Sequence, residues 1–282
     1  MSVNTPLKFF LIKIINCAFK NNSQYGLDMY KNKLDVHKNN LDLYIKNLEM
    51  FNKLFLCDNY NSLSLVLFNS EKLSLNIQKG ILKKTSRNMI QMTSFQRSIV
   101  IGIILSDGWI QYRKEWNPRI GFKQSIKNFE YFWYVFIQLS SLCSTYPWLT
   151  KTIKRGKLFY SLEFNTRQLR CITEIYTLFY SESRAKVIKP ELYDYLDYLA
   201  IAHWIMGDGA KKNKGLTLCT DSFSYKEVVL LMNILKIKYD INTTIQKEKN
   251  KPRIYINNKE LLKILPYIKH YFTPNFLYKI HL

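Results

Sequence analysis

The chain is poor in acidic residues and in alanine, proline and glycine. Asp and Glu number 21 against 42 Lys and Arg, giving a formal net charge of +21, and alanine, proline and glycine make only 21 of 282 residues. This charge balance favours a polyanionic partner, and nucleic acid is the usual one.

Alanine, proline and glycine are encoded by GC-rich codons, so their scarcity indicates an AT-rich genome such as an organelle's. We therefore expect a protein made and used in the mitochondrial matrix.

Two further absences narrow the class of protein. The five cysteines lack the paired spacing of a metal site, and five cannot all pair, so we expect them to be reduced. The apolar N-terminal run, residues 7–19, is interrupted by two lysines and is too short to span a bilayer. It also lacks the cleavage site and the arginines of a targeting peptide. We expect no membrane partner and no import signal.

Two apolar runs, one hundred and one positions apart, each end in Asp-Gly. The first is residues 100–108 (VIGIILSDG) and the second is residues 201–209 (IAHWIMGDG). Such uniform runs predict helices buried on most sides, and the glycine is typical of a helix end. Ser98, Gly102 and Ser106 recur every four positions, so one face of the first helix would let another backbone come close.

Parallel packing of these two helices would bring Asp107 and Asp208 side by side at one end. A carboxylate gains nothing from the negative end of a helix dipole, and two close carboxylates repel unless divalent cations lie between them. The pattern therefore predicts a metal site formed by a duplicated half. The alternative is two unrelated buried helices with stray Asp-Gly turns, but both runs are followed by similar sequence.

The two nonapeptides resemble the paired motifs of the LAGLIDADG homing endonucleases. Residues 199–209 (LAIAHWIMGDG) are particularly similar to the second motif of the two-repeat, intron-encoded members, and so are residues 216–224 (LTLCTDSFS) and the closing Tyr278-Lys279. The resemblance covers the chain from about Met92 onward. It implies an α+β fold of two pseudo-symmetric αββαββα repeats, with saddle-shaped antiparallel sheets packed through the two motif helices.

The hydrophobic pattern itself gives each half the order helix, two strands, helix, two strands, helix. We expect the first repeat at residues 93–190, ending in a linker at 185–190, and the second at residues 191–282. Residues 1–92 form an N-terminal extension that holds 14 of the 24 asparagines. We expect it to be largely helical or poorly ordered, with amphipathic helices around 34–56. A short oligomer-forming helix is the alternative, and the role of this extension stays open.

The resemblance implies metal-assisted hydrolysis of one phosphodiester on each strand, across the minor groove. By matching position, Asp107 and Asp208 would be the metal ligands, assisted by the backbone carbonyls of Ser106 and Gly207. Hard oxygen ligands without a His or Cys cluster suit Mg²⁺.

The resemblance also implies a set of catalytic residues around the metal ligands. Gln124 matches the polar residue that holds the water network, and Asp221 is taken as its counterpart in the second repeat. Arg167 and Lys259 are the basic residues expected near the end of each second hairpin. His203 stands where the first repeat has Gly102, and we interpret it as core packing.

The strands of each half would present one basic, curved sheet surface, and a strand pair fits the major groove of DNA. Lysines would mostly contact phosphates. The expected base-edge contacts in the first half are Gln111, Arg113, Arg119, Lys123 and Arg155. Those in the second half are Thr217, Gln246, Lys247, Lys249, Arg253 and Tyr255. For any one of these residues, a solvated strand face is an equal alternative.

The sequence therefore predicts a monomeric, Mg²⁺-dependent, site-specific endonuclease of the intron-encoded type, acting on a long asymmetric site in double-stranded DNA. The nearest alternative is a maturase that binds its host group I intron RNA through the same basic surface. A non-cleaving DNA-binding regulator on the same fold is a third possibility, but the presence of both acids, Asp107 and Asp208, argues against it. A basic structural protein would not need the duplicated motif.

Overall fold

Two four-stranded antiparallel sheets, one from each half of the sequence, form the framework of the protein. The computed structural model describes residues 82–154 and 156–282. The amphipathic helices expected around 34–56 lie outside the described residues, and so does Arg155.

The first half contains one short helix before the motif helix and then two hairpins separated by a helix. In chain order its elements are α1 (Lys84–Met89), α2 (Ser94–Leu105), β1 (Gly108–Gln111), β2 (Arg119–Ser125), α3 (Phe129–Leu139), β3 (Trp148–Lys154), β4 (Lys157–Asn165) and α4 (Cys171–Phe179). The strands are hydrogen-bonded in the order β1-β2-β4-β3. Residues 185–190 then lead to the second half.

The second half repeats this arrangement. Its elements are α5 (Leu192–Tyr195), α6 (Tyr198–Asp208), β5 (Gly209–Lys212), β6 (Gly215–Leu218), α7 (Tyr225–Tyr239), β7 (Thr243–Glu248), β8 (Lys251–Ile256) and α8 (Asn258–Ile268). The strand order is β5-β6-β8-β7. From α2 and from α6 onward, each half follows the predicted order of helix, two strands, helix, two strands, helix, so the predicted fold is confirmed.

Each sheet buries one face under helices, and no described helix packs on its other face. In the first sheet Ile120, Phe122, Leu162 and Phe164 are fully buried or nearly so, and Phe122 stacks on Phe132 of α3 with ring centroids 5.9 Å apart. The buried residues alternate along the strands with polar ones, as the period of two requires. The polar face of each sheet is therefore left uncovered by the helices of residues 82–154 and 156–282.

Each motif helix begins at a side-chain cap and ends where the backbone turns directly into a strand. Thr93 and Gln96 form a reciprocal capping box at the start of α2, and the Asp197 carboxylate accepts from the Ala200 N–H at the start of α6. At the other end of α6, a Cβ on Gly209 would lie 2.4 Å from the Ile205 carbonyl oxygen. Only glycine allows this turn.

Helices α2 and α6 pack in parallel, and the small residues lie at the contact as predicted. The Ser98 hydroxyl donates to the Asp197 carboxylate at 2.5 Å near the start of both helices. One turn later, a Cβ on Gly102 would lie 2.4 Å from the Cβ of His203. Near the end, a Cβ on Gly207 would lie 2.3 Å from the Ser106 hydroxyl oxygen. The two backbones therefore stay in close contact along their whole length.

His203 belongs to the core beside this contact. It is fully buried, its Nδ1 lies 3.1 Å from the Tyr131 hydroxyl, and its ring stacks on Tyr134. Burial lowers the pKa of His203 to about 3, so the ring is neutral at physiological pH. A packing role fits this environment.

We expect Gly102→Ala to lower the free energy of unfolding by about 1–3 kcal/mol, because the added methyl group would overlap His203 Cβ and the Ala200 carbonyl oxygen. Urea unfolding followed by circular dichroism measures this change. Ser106→Ala is the control, since it adds no volume at the same contact and removes only a hydroxyl that donates to the Gly102 carbonyl at 3.1 Å. Unchanged stability of Gly102→Ala would contradict the close packing.

Candidate active site

Two carboxylates meet at the end of the paired motif helices. Asp107 is exposed in the turn after α2, and Asp208 is the half-buried last residue of α6. Burial and the charge of Asp107 raise the pKa of Asp208 from its ordinary value of 3.8 to about 7. Burial is the larger cause of this shift, and the charges of Lys186 and Lys279 oppose it without cancelling it. The pair therefore has the oxygen ligands and the electrostatic environment that suit a divalent cation.

Two lysines that the sequence analysis did not assign to the site lie beside the carboxylates. Lys279 is buried, and its Nζ donates to the carbonyl oxygens of Met206 at 2.6 Å and Gly207 at 3.1 Å, at the end of α6. Lys186 is half-buried, with its Nζ 5.6 Å from the centre of the Phe223 ring. Burial lowers the pKa of each lysine to about 8, and the two aspartates oppose this effect.

Each of these lysines comes from the segment that follows the last helix of its half. Lys279 belongs to the Tyr278-Lys279 pair that carried part of the family resemblance, so a signal for it was present. Lys186 lies in the stretch interpreted as a linker, and nothing in that stretch marks it. The Gly207 carbonyl, expected to be a metal ligand, is already hydrogen-bonded to Lys279.

Gln124 lies where the sequence predicted it, beside the first carboxylate. It is buried on β2, and its Nε2 donates to Asp107 Oδ2 at 2.5 Å. Its Oε1 accepts from Asn128 Nδ2 at 3.0 Å. Asn128, which the sequence analysis missed, therefore fixes the Gln124 amide so that its donor faces Asp107.

The interpretation of Asp221 as the counterpart of Gln124 was wrong by one residue. Phe122 pairs with Gly108 in the first sheet and Leu218 pairs with Gly209 in the second, so the register places Thr220 at the Gln124 position. Thr220 is buried, and its hydroxyl donates to the Pro252 carbonyl at 2.7 Å. Asp221 follows it and forms a bidentate ion pair with Arg253.

Arg167 and Lys259 do not reach the carboxylates, which corrects their expected place in the site. The Thr166 amide bonds to Ile120, four residues along β2 from Gln124, so Arg167 lies about 13 Å from that end of the sheet. It is buried beside Cys143. Lys259 is exposed in the first turn of α8, beyond the equivalent far end of β8. Arg167 and Lys259 lie far from the carboxylates because they follow β4 and β8, and both strands run away from the carboxylates.

Comparison with known proteins assigns the chain to a family. The sequence model of the LAGLIDADG DNA endonuclease family matches residues 97–264, more than half of the chain. The chain belongs to that family. It is 34% identical to the cytochrome b mRNA maturase bI2 of Saccharomyces cerevisiae over 77% of this chain and 54% of that protein. It thus spans about half the length of that relative.

Two further matches extend over nearly the whole of the proteins concerned. A probable intron-encoded endonuclease 1 of Wickerhamomyces canadensis is 27% identical, covering 76% of this chain and 96% of that protein. The structure of the homing endonuclease I-WcaI bound to its DNA recognition sequence superposes with a TM-score of 0.67 at 28% identity, covering 74% of this chain and 97% of that one. Both agree with the LAGLIDADG fold described above.

The helix-free face of the first sheet carries three of the residues that the sequence predicted for this LAGLIDADG protein. Gln111 is exposed and accepts from Arg119 Nε at 2.8 Å, and Lys123 pairs with Glu163 at 3.8 Å. Arg113 is exposed but lies beyond the end of β1, so the expected strand stops two residues earlier. Arg155 lies outside the described residues.

The equivalent face of the second sheet carries Gln246, Arg253 and Tyr255, and Lys249 lies in the exposed hairpin turn with φ 50°. Gln246 accepts from Lys212 Nζ at 2.7 Å. These four remain available to a ligand on this face.

Two other residues predicted as contacts of the second sheet are not exposed on this face. Thr217 is only 3% exposed, because it pairs with Tyr255, whose ring covers this part of the strand. Lys247 shares the helix side of β7 with Ile245, and its Nζ lies 5.9 Å from the centre of the Tyr225 ring of α7.

Among the described residues, no helix combines the length and apolar composition needed to cross a bilayer.

We expect Asp208→Asn to be more stable than the wild type at pH 7.5 in EDTA, by an amount on the order of 2–4 kcal/mol. The folded pKa of about 7 exceeds the ordinary 3.8, so the folded state binds the proton more tightly. The stability contributed by protonated Asp208 is full below about pH 4 and is lost as the pH rises through 7.

Urea unfolding at several pH values between 4 and 8 measures this difference. The two proteins should converge near pH 4, and Asp107→Asn should show a weaker pH dependence than the wild type, because one cause of the shift is removed. A difference between Asp208→Asn and the wild type that does not vary with pH would contradict the raised pKa of Asp208. An unaltered pH dependence in Asp107→Asn would contradict the coupling of the two carboxylates.

Proposed function

We propose that this LAGLIDADG chain is a site-specific endonuclease that cuts both strands of a long asymmetric site in duplex DNA, as an intron-homing enzyme. The observation that carries the proposal is the pairing of Asp107 and Asp208 with Lys186 and Lys279, at the junction of the two repeats. The names of the similar proteins, which include intron-encoded endonucleases and a DNA-bound homing endonuclease, support it.

The two aspartates would hold Mg²⁺, with the Ser106 and Gly207 carbonyls as accessory ligands. When bound, the metal supplies Lewis-acid polarisation of a phosphate and a more acidic water. Gln124, fixed by Asn128, would orient a water molecule or an aspartate oxygen beside Asp107. Lys186 and Lys279, which are mostly charged below their pKa of about 8, would stabilise negative charge that develops on the phosphate.

The two sheet faces would position the duplex so that one phosphate of each strand approaches the paired carboxylates. Their strands suit the major groove on either side of the cut. One chain supplies both sheets, so we propose that a monomer reads the whole site. The 34% identity to a yeast cytochrome b mRNA maturase supports a mitochondrial location. The scarcity of residues with GC-rich codons also supports it.

A maturase function is the second candidate. The most specific observation in its favour is the 34% identity to a protein named as an mRNA maturase. The exposed basic surface would then bind the folded host intron RNA through its backbone and shape. Both activities use the same charged sheets, and only the cleavage site distinguishes them.

We expect Asp107→Asn and Asp208→Asn to abolish cleavage of an intron-less copy of the host gene while leaving its binding within about three-fold of wild type. Each change removes a metal ligand and keeps the shape of the side chain. Gel analysis of the DNA in Mg²⁺ and in EDTA measures cleavage, and mobility shift measures binding. Asp240→Asn, an exposed aspartate bound to Lys236 and Lys263, is the matched control.

A staggered double-strand cut that needs Mg²⁺ and both aspartates is the expected result. Normal cutting by either variant would contradict the assignment of the carboxylates. Tight binding of the intron RNA without any cut by the wild type would favour the maturase.

We expect Lys279→Met to lower kcat by about 100-fold, because it removes a positive charge at the carboxylates. Lys259→Met, the same change at an exposed lysine beyond the far end of the second sheet, should leave kcat unchanged. Single-turnover cleavage with saturating enzyme separates this effect from DNA binding. If Lys279→Met and Lys259→Met lower kcat by the same factor, Lys279 has no specific role in cleavage.

A further inference from the structure

A charged cluster lies on the helix-free face of the second sheet. Arg253 donates from Nε to Asp221 Oδ1 at 2.8 Å and from Nη2 to Asp221 Oδ2 at 2.7 Å. Its Nη1 donates to Glu248 Oε2 at 2.5 Å. The arginine side chain is only 18% exposed. Two carboxylates therefore hold the guanidinium plane in one orientation on the surface proposed to meet DNA.

The guanidinium of this arginine keeps donors that the two carboxylates do not use. A guanidinium carries five N–H groups, one on Nε and two on each Nη. Asp221 and Glu248 engage three of them, so among the described residues one N–H on Nη1 and one on Nη2 of Arg253 keep no protein partner. When Glu248 accepts the Nη1 N–H that points away from Nη2, the two remaining N–H groups point the same way, and such a pair matches the O6 and N7 acceptors that guanine presents in the major groove.

The charge of the cluster favours a base over a phosphate. One arginine with two carboxylates has a net charge of −1, which repels the phosphate backbone. The hydrogen bonds from Arg253 lower the pKa of Asp221, and the charges of the nearby exposed Lys251 and Lys249 lower it further. These lysines are suited to phosphate contacts. The arginine is thus left to read a base edge between phosphate-binding lysines.

We propose that Arg253 reads a guanine in the half-site bound by the second repeat, and that Asp221 and Glu248 are positioning residues for its guanidinium. This inference rests on the proposed endonuclease function, because it requires duplex DNA on this face. It also gives Asp221 a role different from the catalytic one suggested by the sequence.

The register of the sheet places this guanine close to the cut. The Cys219 amide donates to the Asp208 carbonyl at 3.0 Å, and Arg253 lies on β8, the strand next to β6. Two strand spacings are about 10 Å, which is about three base-pair steps. The guanine should therefore lie in the inner part of the half-site.

The first repeat provides an internal contrast. Phe122 pairs with Phe164 and Leu218 with Ile254, so the residue equivalent to Arg253 is Glu163. Glu163 is a carboxylate that pairs with Lys123. The described part of the first sheet has no guanidinium at this position, so the guanine contacted by Arg253 should have no counterpart at the equivalent position of the other half-site.

The test is a binding selection followed by cleavage, both with the full-length protein. Duplexes retained from a randomised library in Ca²⁺ give the preferred site, and every single-pair variant of that site is then cut in Mg²⁺. We expect the wild type to prefer guanine at one inner position of one half-site by about ten-fold or more. Arg253→Lys should reduce this preference to about two-fold and leave other positions unchanged.

The variants of the carboxylates distinguish positioning from catalysis. Asp221→Asn and Glu248→Gln should weaken the guanine preference and raise KM while kcat stays within about two-fold of wild type. Asp221→Asn should add little once Arg253→Lys is present, since both act through one contact. Arg119→Lys, the same exchange in the first sheet, is the matched control and should not alter this position.

Two results would overturn the inference. Arg253→Lys could weaken all sites equally, which would make the arginine a structural or phosphate contact. Asp221→Asn could lower kcat with the guanine preference intact, which would place Asp221 in the catalytic machinery. If the wild type binds and selects DNA but never cuts it, the proposed endonuclease function fails while the base preference can still be read from binding.

Discussion

At Gly102 and Gly207 the backbones of α2 and α6 come so close that a single methyl group would overlap the opposite helix. The candidate site depends on this contact. It places Asp107 and Asp208 at the same end of the helix pair, where burial and the charge of Asp107 raise the pKa of Asp208. Glycine and serine at the contact are therefore requirements of the site as well as of the fold.

The helices and strands were largely predictable because their patterns are local. The repeated apolar runs ending in Asp-Gly predicted the helix pair, and the alternation of apolar and polar residues predicted both hairpins of each half. Gln124 was assigned through the family resemblance, and it lies beside Asp107 because the β1–β2 hairpin directly after the turn brings it back. These features depend on residues that lie near one another in the sequence.

The errors arose where tertiary structure decides. Arg167 and Lys259 were placed near the carboxylates without regard to strand direction. Lys247 was predicted to share a face with Gln246, but it lies on the opposite, helix side of β7. Thr217 is on the right face, but Tyr255 covers it. Lys186 was missed because only the path of the chain after α4 brings it to the two aspartates. The local sequence pattern does not predict where the chain runs in space after α4.

The two motif helices bury one face of each other, although about one hundred residues separate them in the chain. Contacts between such distant segments form late in folding, since the entropy of closing the intervening chain is lost before the contact stabilises anything. We therefore expect Asp107 and Asp208 to come together only after both repeats have folded. A nascent or partly unfolded chain carries each acid separately, without the pair. In a protein proposed to cut DNA, the pair of aspartates would thus form only after the sheets that select the target have folded.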